Sequence, residues 1–230
     1  MTTLTNSRAK RYMPTLVVPS AARRSALDLA SKRVIDIVLA TVGVIILTPL
    51  WLVVALLIRI SDRGPAFFKQ TRVGKNGQTF TMYKFRTMRV DAEQVKASLE
   101  AANRADVGAG NSVMFKMRDD PRVTRVGRVL RKTSIDELPQ LFNVIKGDMS
   151  LVGPRPPLPS EVATYEPHVM GKFSVRPGIT GLWQISGRSD LSWDSTVALD
   201  RHYVENRGGH LDVEILAGTL KAVVGGRGAY

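Results

Sequence analysis

Two adjacent carboxylates, Asp136 and Glu137, lie within the segment RVLRKTSIDELPQLFNVIKGDMSLVGPRP, which runs from Arg128 to Pro156. They follow Arg128, Arg131 and Lys132 and mark the expected start of a helix. At a helix N-terminus a carboxylate stays ionised and a phosphate group can also bind. An ionised aspartate beside a phosphate site has the makings of a nucleophile. The same residues admit a structural reading: Ser134 followed by Glu137 spells a capping box, which would make both acids ordinary first-turn residues. Pro139 would break a backbone bond in a helix capped by Ser134, so the expected start moves to Asp136. Residue types alone leave both readings open.

Further basic residues sit where they could stabilise charge on a phosphorylated ligand. Arg155 in GPRP and Arg176 in RPG are held on stiff, proline-flanked turns, and Lys84 and Arg86 belong to the run KFRTM. A solvated surface or a lipid-headgroup contact is the competing role for each. Trp183 and Trp193 are read as core residues first, with stacking on a base or a seat at the membrane interface as the other roles open to them. Asp148 and Asp200 could support the site's side chains, but are read first as capping or ion-pairing acids. His168, His202 and His210 lack zinc-ligand spacing.

The elements that must carry these groups form a helix-rich α+β pattern. Two strands, Ala66–Arg72 and Thr79–Arg86, flank the dipeptide Asn76-Gly77, a hairpin signal that presents Lys84 and Arg86. A helix is expected from Asp91 to about Ala105, then a loop at Gly108–Asn111 with the character of a lid. Further helices are expected at Asp136–Ile145, Glu161–Met170, Ser192–Asn206 and Leu211–Val224. Strands do not alternate regularly with helices, which excludes a wound βαβ sheet.

From Ile37 to Ile58 the chain runs 22 residues without a charge, and Pro49 lies near the middle. A span needs about 20 apolar residues, so the length is sufficient. Proline inside a helix costs about 3 kcal/mol, which predicts a break at Thr48-Pro49 into halves each about 18 Å long. Arg23, Arg24, Lys32 and Arg33 precede the run, and Arg59, Arg63, Lys69 and Arg72 follow it. Equally basic flanks fit a re-entrant hairpin over residues 32–60, both ends facing one anionic surface, better than a span with asymmetric charge. A Pro-kinked span is the other form the residues allow.

The remaining composition sets limits. Residues 1–24 read as a disordered basic tail and residues 25–230 as one domain with its membrane anchor. A net charge of +13 calls for anionic partners. That charge is spread around an apolar segment and no nucleic-acid signature accompanies it, so nucleic acid is not expected as a partner. The absence of cysteine excludes disulfides and thiolate chemistry.

KRVIDIVLATVGVIILTPL, KFRTM, SIDELPQLFNVIKGDMSLVGPRP, RPGITGLWQISGR and DRHYVEN, in that order, resemble the bacterial sugar transferase family of monotopic polyprenyl-phosphate phosphoglycosyl transferases. The short format and the ending GGRGAY resemble the subgroup that starts exopolysaccharide synthesis by placing galactose 1-phosphate on undecaprenyl phosphate. The resemblance implies a re-entrant helix broken at Thr48 and Pro49, at the cytoplasmic face of the bacterial inner membrane. It implies Asp136 as the nucleophile toward a UDP-sugar, with release of UMP, and Glu137 as base or positioning group. It further implies Mg2+ near or on Asp136, and phosphate contacts from Arg131, Arg155 and Arg176, with Lys84 and Arg86 as further candidates. The expected partners are the UDP-sugar, undecaprenyl phosphate and membrane lipids, and a homo-oligomer is compatible with such an anchor. Arg207, Gly208, Gly209 and His210 stand where the family usually carries Trp and apolar residues. That departure is the ground for the alternative, a catalytically inactive membrane scaffold for polysaccharide assembly.

Overall fold

The computed structural model describes residues 25–92, 94, 120–187 and 191–225. The tail 1–24, the loop Gly108–Asn111 and all but the start of the helix expected from Asp91 lie outside the described residues. In chain order the elements are helix α1 (Ala26–Asp62), strands β1 (Phe67–Val73) and β2 (Thr79–Phe85), and helix α2 (Arg125–Lys132). A 3-10 turn (Ile135–Glu137), helix α3 (Gln140–Lys146), strand β3 (Ser150–Val152) and the single-turn α4 (Pro159–Val162) follow. A 3-10 segment (Pro167–Ser174), strand β4 (Gly178–Thr180) and helices α5 (Leu182–Ser186), α6 (Trp193–Asn206) and α7 (Gly209–Gly225) complete the set. The fold is mixed helix and small sheet, as the sequence pattern implies.

The expected break at Thr48-Pro49 does not interrupt α1: Pro49 sits inside one helix of 37 residues. Its missing N–H costs one backbone bond, and the Thr48 hydroxyl donates to the Val44 carbonyl at 2.7 Å beside it. Ser25 caps the start, accepting from the Asp28 amide, and left-handed Arg63 ends the helix by donating its amide to the Arg59 carbonyl. The helix is long and apolar enough to cross a membrane, and only 17% of its most apolar window is covered by protein. Ile45, Ile46, Leu52, Leu56 and Ile60 are exposed.

Yet α1 is not a detached anchor. Ala40, Val44, Leu47, Trp51, Val54 and Ile58 recur at spacings of four and three and form one wall of the principal core. Against that stripe pack Met82 and Phe85 of β2, Leu130 of α2, Leu141 and Val144 of α3, and Met149. The edge of the Trp51 ring meets Phe142 at 5.3 Å and Phe85 at 6.2 Å between centroids.

The β1–β2 hairpin forms as expected, in antiparallel register from Val73 opposite Thr79 to Phe67 opposite Phe85. Asn76 and Gly77 take consecutive positive φ values of 56° and 73°, the backbone twist a tight hairpin needs. Fully buried Asn143 of α3 covers the outer edge of β2: its side-chain oxygen accepts from the Tyr83 amide at 3.1 Å and its amide group donates to the Thr81 carbonyl at 2.7 Å. One side chain thus satisfies two groups that a third strand would otherwise pair. It also fixes the position of Lys84, the next residue along β2.

The secondary structure departs from the sequence reading in several places. The helix expected at Glu161–Met170 resolves into α4 and the 3-10 segment, since Pro167 cannot continue a helix through its own position. Helix α2 was not anticipated, and neither was the parallel pairing of β3 with β4, joining Ser150 to Gly178 and Val152 to Thr180. Helices α6 and α7 lie close to their expected spans.

Candidate active site

Asp136 and Glu137 stand on the 3-10 turn between α2 and α3, not in the first turn of the helix that follows. The cause is Pro139, which has no N–H to donate into a helix begun at Asp136 and serves instead as the residue ahead of α3. Ser134 enters the turn in the left-handed region, φ 57°, and its side chain makes no capping bond, so the capping-box alternative is not formed. Helix α2 is held close by Gly127, where a Cβ would come within 2.0 Å of the Thr87 carbonyl oxygen. Thr124 caps α2 by accepting from the Gly127 amide at 2.9 Å.

The two acids have different surroundings. Asp136 is 8% exposed and makes no ion pair among the described residues. Burial pushes its carboxyl up to about 6; the charges of Lys84 and Arg131 oppose that rise, and Glu137 adds to it. Glu137 pairs with Lys84, whose Nζ lies 2.6 Å from Oε1. Burial favours its neutral form, but the attraction and hydrogen bond of Lys84, with Arg155 and Arg72, outweigh burial and hold it below the usual glutamate value. Environments that push two neighbouring carboxylates apart are the signature of divided acid–base or nucleophilic roles.

Of the five cations picked out in the sequence, three surround the pair. Lys84 reaches it from β2. Arg131, which donates from Nε to Thr87 Oγ1 at 3.0 Å, acts on Asp136. Arg155 acts on Glu137 and lies 3.4 Å from buried Glu161. The other two lie elsewhere. Arg86 is turned toward the end of α1, 3.3 Å from Asp62 and packed over Gly64. Arg176 donates to the Gly147 carbonyl at 2.9 Å, past the far end of α3 and near Arg33.

Sequence reading missed Arg72. It is 7% exposed in β1, donates to the Pro156 carbonyl at 3.1 Å and shares Glu161 with Arg155. Burial and the neighbouring Arg155 lower its pKa to about 10, against Glu161 and Glu137, which leaves it cationic at neutral pH. Its placement depends on a carbonyl 84 residues further along the chain. Nothing local in QTRVG signals that contact.

The supporting residues are ion-paired or packed. Asp200 pairs with Lys172 at 2.6 Å and Asp148 with Lys146 at 3.2 Å. Trp183 is buried, and half-buried Trp193 rests against Tyr165 at 5.1 Å. The unusual Arg207–His210 stretch forms the junction between α6 and α7, and Arg207 donates back to the Val204 carbonyl. Across that junction the Tyr203 hydroxyl contacts both Asp212 and the Val152 carbonyl.

Such a site suits an anionic phosphorylated substrate: a dry carboxylate ionised at neutral pH, a second carboxylate fixed by lysine, and arginines on either side. Comparison with known proteins agrees. The bacterial sugar transferase family profile matches residues 27–226. The galactosyl transferase CpsE of Streptococcus agalactiae is 48% identical over 202 residues, covering 87% of this chain and 44% of the relative. The exopolysaccharide production protein ExoY of Sinorhizobium fredii is 46% identical, with 87% of this chain and 88% of the relative covered. An undecaprenyl-phosphate galactose phosphotransferase of Salmonella typhimurium is 45% identical over 91% of this chain and 43% of its own length. The chain thus spans less than half of two of these relatives and most of the third. On the motif order, the cation-ringed acidic pair and these matches, the chain belongs to the bacterial sugar transferase family.

Proposed function

We propose that the chain transfers a hexose 1-phosphate from a UDP-sugar to undecaprenyl phosphate through a covalent intermediate on Asp136, the first step of exopolysaccharide or glycoconjugate assembly. The observation that carries this reading is the divergence of the two acids: one buried, without an ion pair among the described residues and ionised at neutral pH, the other tied to Lys84. In the first step an Asp136 oxygen bonds to the β-phosphorus of the donor. The bond from that phosphorus to the bridging oxygen breaks, and UMP leaves with the bond's electron pair. In the second step a phosphate oxygen of the lipid bonds to the same phosphorus and the Asp136 carboxylate is released. Splitting a meeting of two anions into two displacements lowers each barrier. Neither nucleophile has a proton to remove. Glu137 is therefore assigned to hold Lys84 at the diphosphate, while Arg131, Arg155 and Arg72 offset the remaining charge.

The donor set suits a hard divalent cation in a limited way. Mg2+ takes one or two carboxylates and completes its octahedron with water and substrate phosphates, and Asp136, free of an ion pair among the described residues, is the residue that would hold it. When bound it supplies charge neutralisation on the diphosphate.

The reading places α1 in the inner membrane as a re-entrant helix, with the domain on the cytoplasmic face. Its exposed apolar surface supports embedding. Two contacts hold both halves of α1 against α3: Arg33 donates to the Val144 and Ile145 carbonyls, and Trp51 rests on Phe142 of the same helix. Galactose is the favoured sugar, since relatives are named galactosyl transferase and undecaprenyl-phosphate galactose phosphotransferase. One at 39% identity is named for N-acetylgalactosamine. The scaffold alternative gains no support, because the Arg207–His210 junction leaves the acids and their cations assembled.

The test is UMP release from a panel of UDP-hexoses by the full chain in lipid. UMP formation that requires both undecaprenyl phosphate and Mg2+ for sustained turnover is the expected result. An absence of turnover with every donor would point back to the scaffold.

A further inference from the structure

The outward face of α2 carries Arg125, Arg128 and Lys132, all exposed, with Val129 between them at 61% exposure. These positions, i, i+3, i+4 and i+7, share one side of the helix. Among the described residues none of the three cations has a carboxylate partner, and the first turn of α2 contains no acid. The opposite side, through Leu130 and Val126, packs into the core that also holds Val54 and Ile58 of α1. Beyond the acidic turn, Phe142 of α3 is 45% exposed while its ring touches Trp51. Exposed apolar side chains therefore bracket Asp136 and Glu137 on both sides, next to a helix whose own outer surface is apolar.

An exposed valine flanked by three cations that have no carboxylate partner among the described residues, beside the apolar outer surface of α1, matches the boundary between acyl chains and anionic headgroups. We propose that this face is a docking surface for anionic phospholipid, with Arg125, Arg128 and Lys132 taking lipid phosphates and Val129 entering the boundary. The consequence is control of the site's height: α2 ends four residues before Asp136. Seating α2 on the bilayer presents the pair to a lipid-borne phosphate at headgroup depth. The proposal rests on α1 being membrane-embedded, as read above, and adds a dependence on lipid charge.

The chain contains no cysteine, so Val129→Cys accepts a single nitroxide label. The labelled full chain would be placed in vesicles of phosphatidylcholine alone or mixed with phosphatidylglycerol. Accessibility of the label to oxygen and to a water-soluble nickel reagent then reports its depth. The expected result is burial in the mixed vesicles only, reversed by high salt and by the triple change Arg125→Ser, Arg128→Ser and Lys132→Ser. Each lost cation should weaken seating about fivefold. A label on Ile45→Cys serves as the control: if it is water-exposed, the embedding of α1 itself has failed, a different result from failure of the lipid contact. A Val129 label equally exposed in both vesicles, or buried to the same depth after the triple change, would overturn the proposal. So would a label covered only in native membranes, which would assign the face to a protein partner.

Discussion

Replacing Asp136 with asparagine is expected to abolish sugar-phosphate transfer and at the same time to stabilise the protein. The loss follows from removing the nucleophile, and such replacements reduce turnover by roughly 10^5-fold or more. The gain follows from burial. The folded pKa of Asp136 lies above its ordinary value of 3.8, at about 6, so the fold disfavours the ionised form. Below about pH 3.8 both folded and unfolded chains hold the proton and there is no penalty. Between 3.8 and 6 the unfolded chain ionises first, stability falls, and above 6 the penalty is constant. A difference of about 2 pKa units corresponds to about 3 kcal/mol, which asparagine would recover at neutral pH. Thermal unfolding in detergent and UMP release, measured on the same preparation, should move in opposite directions. A variant both inactive and less stable would mean that Asp136 is a structural residue.

The second large effect concerns Lys84. Lys84→Met should lower turnover by roughly 10^2- to 10^3-fold, the usual cost of deleting one fixed charge aimed at a reacting phosphate. It should also move the pH profile. Wild-type kcat/KM is expected to fall tenfold per unit below about pH 6, as Asp136 takes up its proton. Lys84 is the strongest attraction holding that carboxyl down, so without it the acid limb begins at higher pH. Glu137 acts in the opposite sense, and Glu137→Gln should shift the limb to lower pH. Profiles that coincide in all three proteins would remove Asp136 from the rate-determining ionisation.

Much of this was legible in the residues, for identifiable reasons. The hairpin could be read because Asn76-Gly77 specifies a local backbone twist that needs no distant partner. The acidic pair could be read because it is contiguous in sequence. Its exact seat could not, since whether Ser134 caps a helix or turns left-handed depends on how α2 closes against Thr87. Arg155 and Arg176 look alike in sequence, each beside a proline, yet one faces the acids and the other a helix end. Only tertiary contacts separate them. The core-facing stripe of α1, from Ala40 to Ile58, was present as a four-three spacing but lay hidden in a segment apolar all round. Buried Asp36, which accepts from Ser150 Oγ at 2.8 Å and the Leu151 amide at 3.2 Å, was likewise invisible without β3.

The most direct test of the central claim is to incubate the protein with UDP-galactose in the absence of lipid acceptor, quench, and determine the intact mass and the modified peptide. The predicted result is one equivalent of UMP released and a hexose phosphate attached to the peptide containing Asp136, discharged when undecaprenyl phosphate is added. Full transfer to the lipid with no adduct at Asp136 under any quench, in a preparation that turns over normally, would contradict it.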